Sequence, residues 1–144
     1  MAEVSFYILP SESLQERYLF ACKLIEKAYR SGSFCYVHTD NTEQSQKIDD
    51  LLWTFRAGSF IPHQIYTGEL PGFEKTILVG SLNPPEDWQK TVINLSSYCP
   101  EEPGKIERIL EIFDNGEATK ELGRNRYRQY QQSHIPITKH KIGH

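Results

Sequence analysis

The chain of 144 residues contains no apolar stretch near the ~18–20 residues needed to span a bilayer. Its opening, Met1-Ala2-Glu3-Val4-Ser5, has neither the basic start nor the apolar run of a signal peptide. Glycine-rich phosphate loops are missing: neither GxxxxGK[ST] nor GxGxxG occurs. The first strand-to-helix turn, Leu9-Pro10-Ser11-Glu12-Ser13, has no glycine to let backbone N–H groups approach an anion, and Glu12 would repel phosphate. GxSxG and HExxH are absent too. The three cysteines, Cys22, Cys35 and Cys99, are odd in number and lack CxxC spacing, so they read as reduced thiols of a cytoplasmic protein. Cys22 and Cys35 fall on apolar stripes as inert core residues, and nothing specific supports a nucleophile at Cys99. None of the five histidines forms a metal-binding cluster. These absences leave no catalytic residue, no metal ligand set and no cofactor site.

The content that remains suits one folded domain spanning 1–144. Hydrophobic residues make up 38% and aromatics 12%, enough to fill a core. Val4–Leu9 reads as a buried strand stopped by Pro10, and Ser13–Glu16 is a capping-box pattern opening a helix that ends near Gly32. Phe34–His38 reads as a second strand. A second helix begins at Asp40–Glu43, with Ile48, Leu51, Leu52 and Phe55 on its buried face. Strands are expected at Thr76–Gly80 and Thr91–Leu95, with a short one near Gln64–Tyr66. The spacing of Ile106, Ile109, Leu110 and Phe113 predicts a third helix, and a fourth is expected over 117–132. Ile135–Thr138 suits an edge strand, where proline is tolerated. Alternating strands and helices imply one α/β domain: a mostly parallel sheet covered by helices on both faces, without a P-loop.

Net charge is −3, which argues against a protein devoted to gripping phosphate backbones, but its distribution is uneven. Segment 120–144 holds six cations against Glu121 alone, leaving +5 there and −8 elsewhere. On the last helix, Lys120, Arg124 and Arg128 fall within a band of about 80°, with Gln131 inside it and Tyr127 beside Lys120, while Ala118 and Leu122 point toward the expected core. A cationic stripe holding an aromatic ring fits an acidic peptide, or single-stranded nucleic acid read through phosphates and stacking; the overall acidity favours the peptide. Trp53 lies about 140° from Ile48 on the second helix. It points outward if that helix continues, and folds onto the core if the helix ends near Leu52. Asp49-Asp50 reads as a solvated face, and His140 and His144 as part of a solvated tail.

Asp49-Asp50-Leu51-Leu52-Trp53 followed by Ser59-Phe60-Ile61-Pro62-His63 resembles the LW…SF[IV]PH signature of the chi subunit of bacterial DNA polymerase III. Phe6-Tyr7-Ile8-Leu9, Arg30-Ser31-Gly32 and Arg124-Asn125-Arg126-Tyr127-Arg128-Gln129-Tyr130 are similar to the same family, and only 68–83 matches loosely. The resemblance implies a three-layer, Rossmann-like α/β fold without nucleotide binding, and a non-catalytic connector acting in the cytoplasm and meeting DNA only indirectly. It implies two partners: the psi subunit of the clamp loader, and the acidic C-terminal tail of single-stranded-DNA-binding protein, which ends in a hydrophobic residue bearing the free carboxylate. Carried over, the tail site is Lys120, Arg124, Tyr127 and Arg128 with Ile137 lining the apolar pocket, and the psi site is Trp53 and Phe60 with Pro62 and His63 shaping the turn. Gln131 stands where the family often has arginine, one charge fewer for the tail.

Overall fold

The computed structural model describes residues 2–56, 60–72 and 75–142. The elements run β1 (Glu3–Ile8), α1 (Leu14–Arg30), β2 (Tyr36–His38), α2 (Thr42–Thr54), β3 (His63–Ile65), β4 (Ile77–Gly80), β5 (Thr91–Asn94), β6 (Arg108–Phe113), α3 (Glu117–Gln132) and β7 (Ile137–Lys141). The seven strands form one sheet in the order β3-β4-β2-β5-β6-β1-β7, and every pair is parallel. Alternate side chains feed two cores. Val37, Ile93, Leu110 and Ile112 pack under α1 and α2, with Cys22, Ile25, Ile48 and Leu52. Tyr36, Val92, Ile109 and Phe113 pack on the other face with Tyr130 of α3 and with Trp88. This is the expected three-layer α/β arrangement, with the sheet wholly rather than mostly parallel.

One expected helix is a strand. Residues 106–113 carry apolar side chains at helical spacing, yet 109–113 are buried without a break and form β6 between β5 and β1. A strand covered on both faces needs no alternation, so its apolar run mimics a helical stripe. The chain therefore has three α-helices among the described residues, and the expected fourth is α3.

Helix ends follow local chemistry. The Ser13 hydroxyl accepts from the Glu16 N–H at 3.2 Å, but the reciprocal bond of a capping box is replaced: the Ser13 N–H donates to the Ser11 hydroxyl at 2.9 Å. α1 and α3 stop in the same way. After α1, Gly32 takes φ +93° and the Ser33 and Gly32 N–H groups bond Ala28 and Tyr29 carbonyls. After α3, His134 takes φ +57° and the Ile135 and His134 N–H groups bond Tyr130 and Gln131 carbonyls. Both are Schellman turns, and the second leads straight into β7. That strand runs further than 135–138 suggested. His140 belongs to this strand rather than to a tail, and it is exposed as expected, its ring stacked on Tyr7 at 4.8 Å and 15°; His144 lies outside the described residues.

Candidate functional site

Two surfaces stand out, and the sheet order puts them at opposite edges. The first is a cleft of about 660 Å³ between α3 and the β1–β7 edge. Its floor is Phe6, Ile8 and Phe113, and Gly123 keeps the helix side open above the Phe113 ring. Lys120, Arg124, Tyr127 and Arg128 all border it, together with Lys139 and Lys141 of β7. Lys120 Nζ lies 3.9 Å from Glu117 Oε1, and Arg124 is bonded to Glu121 at 2.8 Å. Tyr127 packs edge-on to Phe6, ring centres 6.0 Å apart, and Lys139 Nζ sits 4.5 Å from the centre of its ring. Ile137 is placed differently: half-buried beside Val4, it packs on the core beneath the cleft. Gln131 is exposed.

The face of α3 that meets the sheet is not the one the helical wheel assigned. Ala118 and Leu122 are exposed, while Arg126 and Tyr130 are buried. On the wheel Arg126 lies about 40° from Leu122 and away from the cationic band; it is buried because β6 supplies Glu111 as its counter-charge. The Arg126 guanidinium donates to Glu111 at 2.7 Å, the Tyr130 hydroxyl donates to the same carboxylate at 2.5 Å, and Asn94 Nδ2 donates to it at 3.0 Å. Burial alone would weaken the Arg126 charge, but Glu111 outweighs it and the guanidinium pKa is raised. Burial and then the neighbouring carboxylate push the Tyr130 phenol far above its ordinary range, so it stays a donor. This network docks α3 on the sheet and thereby sets the depth of the cleft.

The second surface lies at the β3 edge. Helix α2 continues to Thr54, so Trp53 points outward, 55% exposed; Phe60 is 66% exposed, and the two rings lie 5.9 Å apart. Below Trp53, ring centres 4.6 Å apart, the His63 side chain is fully buried. Its Nδ1 is 2.6 Å from the Ile61 carbonyl and its Nε2 is 3.3 Å from Asp49 Oδ1. Asp49 is therefore only 17% exposed at its side chain and faces His63, in place of the solvated role read from the sequence. The Pro62 carbonyl accepts from the Ile77 N–H at 2.8 Å and starts the pairing of β3 with β4. Ser59 lies outside the described residues.

Elsewhere the buried thiols of Cys22 and Cys35 are each pushed up to about 12 by desolvation, which holds them protonated. No helix among the described residues is long and apolar enough to cross a membrane. Sequence reasoning missed Lys139, Lys141 and Asp49 at these surfaces. The alternation Ile137-x-Lys139-x-Lys141 held the signal for the first two, hidden because the strand was ended at Thr138.

Residues 1–138 match the family described as DNA polymerase III chi subunit, HolC. The chain is 30% identical over 142 residues to DNA polymerase III subunit chi of Pseudomonas aeruginosa, covering 99% of this chain and 98% of that one. It is 24% identical over 139 residues to the subunit of the same name from Haemophilus influenzae, covering 96% of each, and 22% identical over 135 residues to that of Escherichia coli, covering 90% and 91%. Among solved structures, T4 UvsW shares the fold with a TM-score of 0.68 at 10% identity; the match covers 98% of this chain and 41% of that protein.

Proposed function

This chain belongs to the DNA polymerase III chi subunit family, and we propose that it is a non-catalytic connector, working in the cytoplasm, that joins two replication proteins. At the β7 edge, the cleft receives the acidic C-terminal tail of single-stranded-DNA-binding protein through Lys120, Arg124, Tyr127 and Arg128, with Ile137 supporting the apolar floor. At the β3 edge, Trp53 and Phe60 anchor the psi subunit, with Pro62 and His63 fixing the turn beneath them. DNA is reached only through the coated strand. One observation carries the reading: a cationic rim surrounds an apolar floor, the complement of a peptide with acidic residues and an apolar end. Exposed Trp and Phe side by side are the residue types that anchor protein interfaces.

A titration with a peptide of that acidic tail tests the first surface. Arg124→Ala and Arg128→Ala should each weaken binding by at least ~1.5 kcal/mol, the scale of a charged hydrogen bond, while Trp53→Ala leaves it unchanged. Unaltered affinity in both arginine variants sinks the site. With purified psi the pattern should reverse, Trp53→Ala losing the partner and Arg128→Ala keeping it.

A second reading, a single-strand nucleic-acid module on the same helix, would need Tyr127 as a stacking platform. Its ring is half-buried against Phe6 and has Lys139 over it, which leaves little face for a base. An oligonucleotide that binds tightly at ~50 mM salt, where backbone contacts are strong, would favour this second reading.

A further inference from the structure

The cleft has two walls, and its proposed peptide-binding role takes its charges from the helical wall alone. A role for the strand wall rests on that same peptide-binding function. Alternate residues of a strand share a face, so Lys139 and Lys141 turn toward α3 while His140 turns away onto Tyr7. The register sets Lys139 beside Phe6 and Lys141 beside Ile8, two residues of the floor. The cations around the cleft are not equally available. Arg124 is bonded to Glu121 and Lys120 is drawn toward Glu117. Among the described residues, Arg128, Lys139 and Lys141 have no carboxylate within ion-pair distance. Among the described residues the one acid lining the cleft is Asp114, just before α3 begins, its Oδ1 accepting the Gly116 N–H at 2.8 Å. Lys139 instead reaches across to the Tyr127 ring. A cation over an aromatic face keeps donors free for an anion, and nothing need be displaced before it binds one.

We propose that Lys139, supported by Lys141, is a carboxylate-binding residue of this cleft. The terminal apolar side chain of an acidic peptide rests on Phe6, Ile8 and Phe113, and its α-carboxylate is held between Lys139 of β7 and Arg128 of α3. The strand thus supplies the charge that the helix lacks at Gln131. Lys120 and Arg124, already engaged, meet the acidic residues further up the peptide, nearer the start of α3.

The test compares two aspartate-rich peptides ending in phenylalanine, one with a free C-terminus and one amidated, by fluorescence anisotropy. The proteins are wild type, the double variant Lys139→Gln/Lys141→Gln, and a charge-matched control, Lys23→Gln/Lys27→Gln on α1. Wild type and control should prefer the free acid by about tenfold or more, as losing a charged hydrogen bond implies. The double variant should prefer the free acid by no more than about threefold, the part of the clamp that Arg128 supplies alone. Because both peptides keep their aspartates, a general loss of charge lowers both affinities and leaves their ratio unchanged. If the double variant keeps the tenfold preference, Lys139 is not the carboxylate partner, although the peptide reading stands. Equal binding of the two peptides by wild type also overturns the clamp. Wild type that binds neither peptide overturns the peptide reading and the clamp together. All the substituted lysines lie on the surface, and equal thermal midpoints will show that the variants fold.

Discussion

Arg126 illustrates how a single residue can belong to the site without touching a ligand. It is 2% exposed and lies one residue before Tyr127, so its bond to Glu111 holds the cationic stripe at a fixed height over the sheet. Removing one member of a buried ion pair strands the other charge and costs roughly 3–5 kcal/mol. Arg126→Ala should therefore lower the unfolding free energy in urea by about that amount, and a loss below ~1 kcal/mol would mean that the pair is not what docks α3. A helical wheel sets Arg126 about 160° from both Arg124 and Arg128, but the acid that makes its burial possible lies on β6, in a segment whose spacing predicts helix. Asp49 was hidden for the same reason. Its partner His63 is a neighbour in space, fourteen positions along the chain, and a helical wheel has no column for a residue on another element.

At the scale of elements, the cleft depends on how α3 ends and β7 begins. The Schellman turn places His134 in the left-handed region, where a side chain is strained and glycine is not. His134→Gly should stabilise the protein by about 0.5–1 kcal/mol, measured as a shift in the denaturation midpoint at constant slope. A destabilised variant would show that the exposed His134 side chain contributes something its position does not reveal. The matching turn after α1 already has Gly32, and that helix end was legible from the glycine alone. The end of α3 was legible only from its falling periodicity. Most elements could be read, since Val4–Leu9, Thr76–Gly80 and Thr91–Leu95 are short apolar runs bounded by proline, glycine or polar turns. The failure at 106–113 is physical: a central parallel strand is covered on both faces, and the pattern that distinguishes strand from helix disappears.

For the whole molecule, the charge asymmetry foreseen at 120–144 has a structural address, since α3 and β7 lie together at one sheet edge. Acid stability has another. At His38, which ends β2, burial lowers the pKa below 6.5, and its Nδ1 has no hydrogen-bond partner among the described residues. The unfolded chain protonates this histidine at about 6.5 while the folded chain does not. The folded state is therefore favoured above that pH and loses this contribution as pH falls below it. His38→Asn should flatten the decline in unfolding free energy between roughly pH 6.5 and the lower folded pKa; an identical slope in the variant would assign the decline to other groups. The same sheet carries a mechanical consequence. Six interstrand gaps of about 4.8 Å put the β3 and β7 edges roughly 30 Å apart, so a pull between partners held at those edges runs across the strands and loads their rungs one row at a time. The shortest rows are those of β3 and β2, three residues each, and β3 alone of these is at an edge. Under tension the molecule would yield first there, shedding the strand beside Trp53 while β1, β6 and the cleft stay whole.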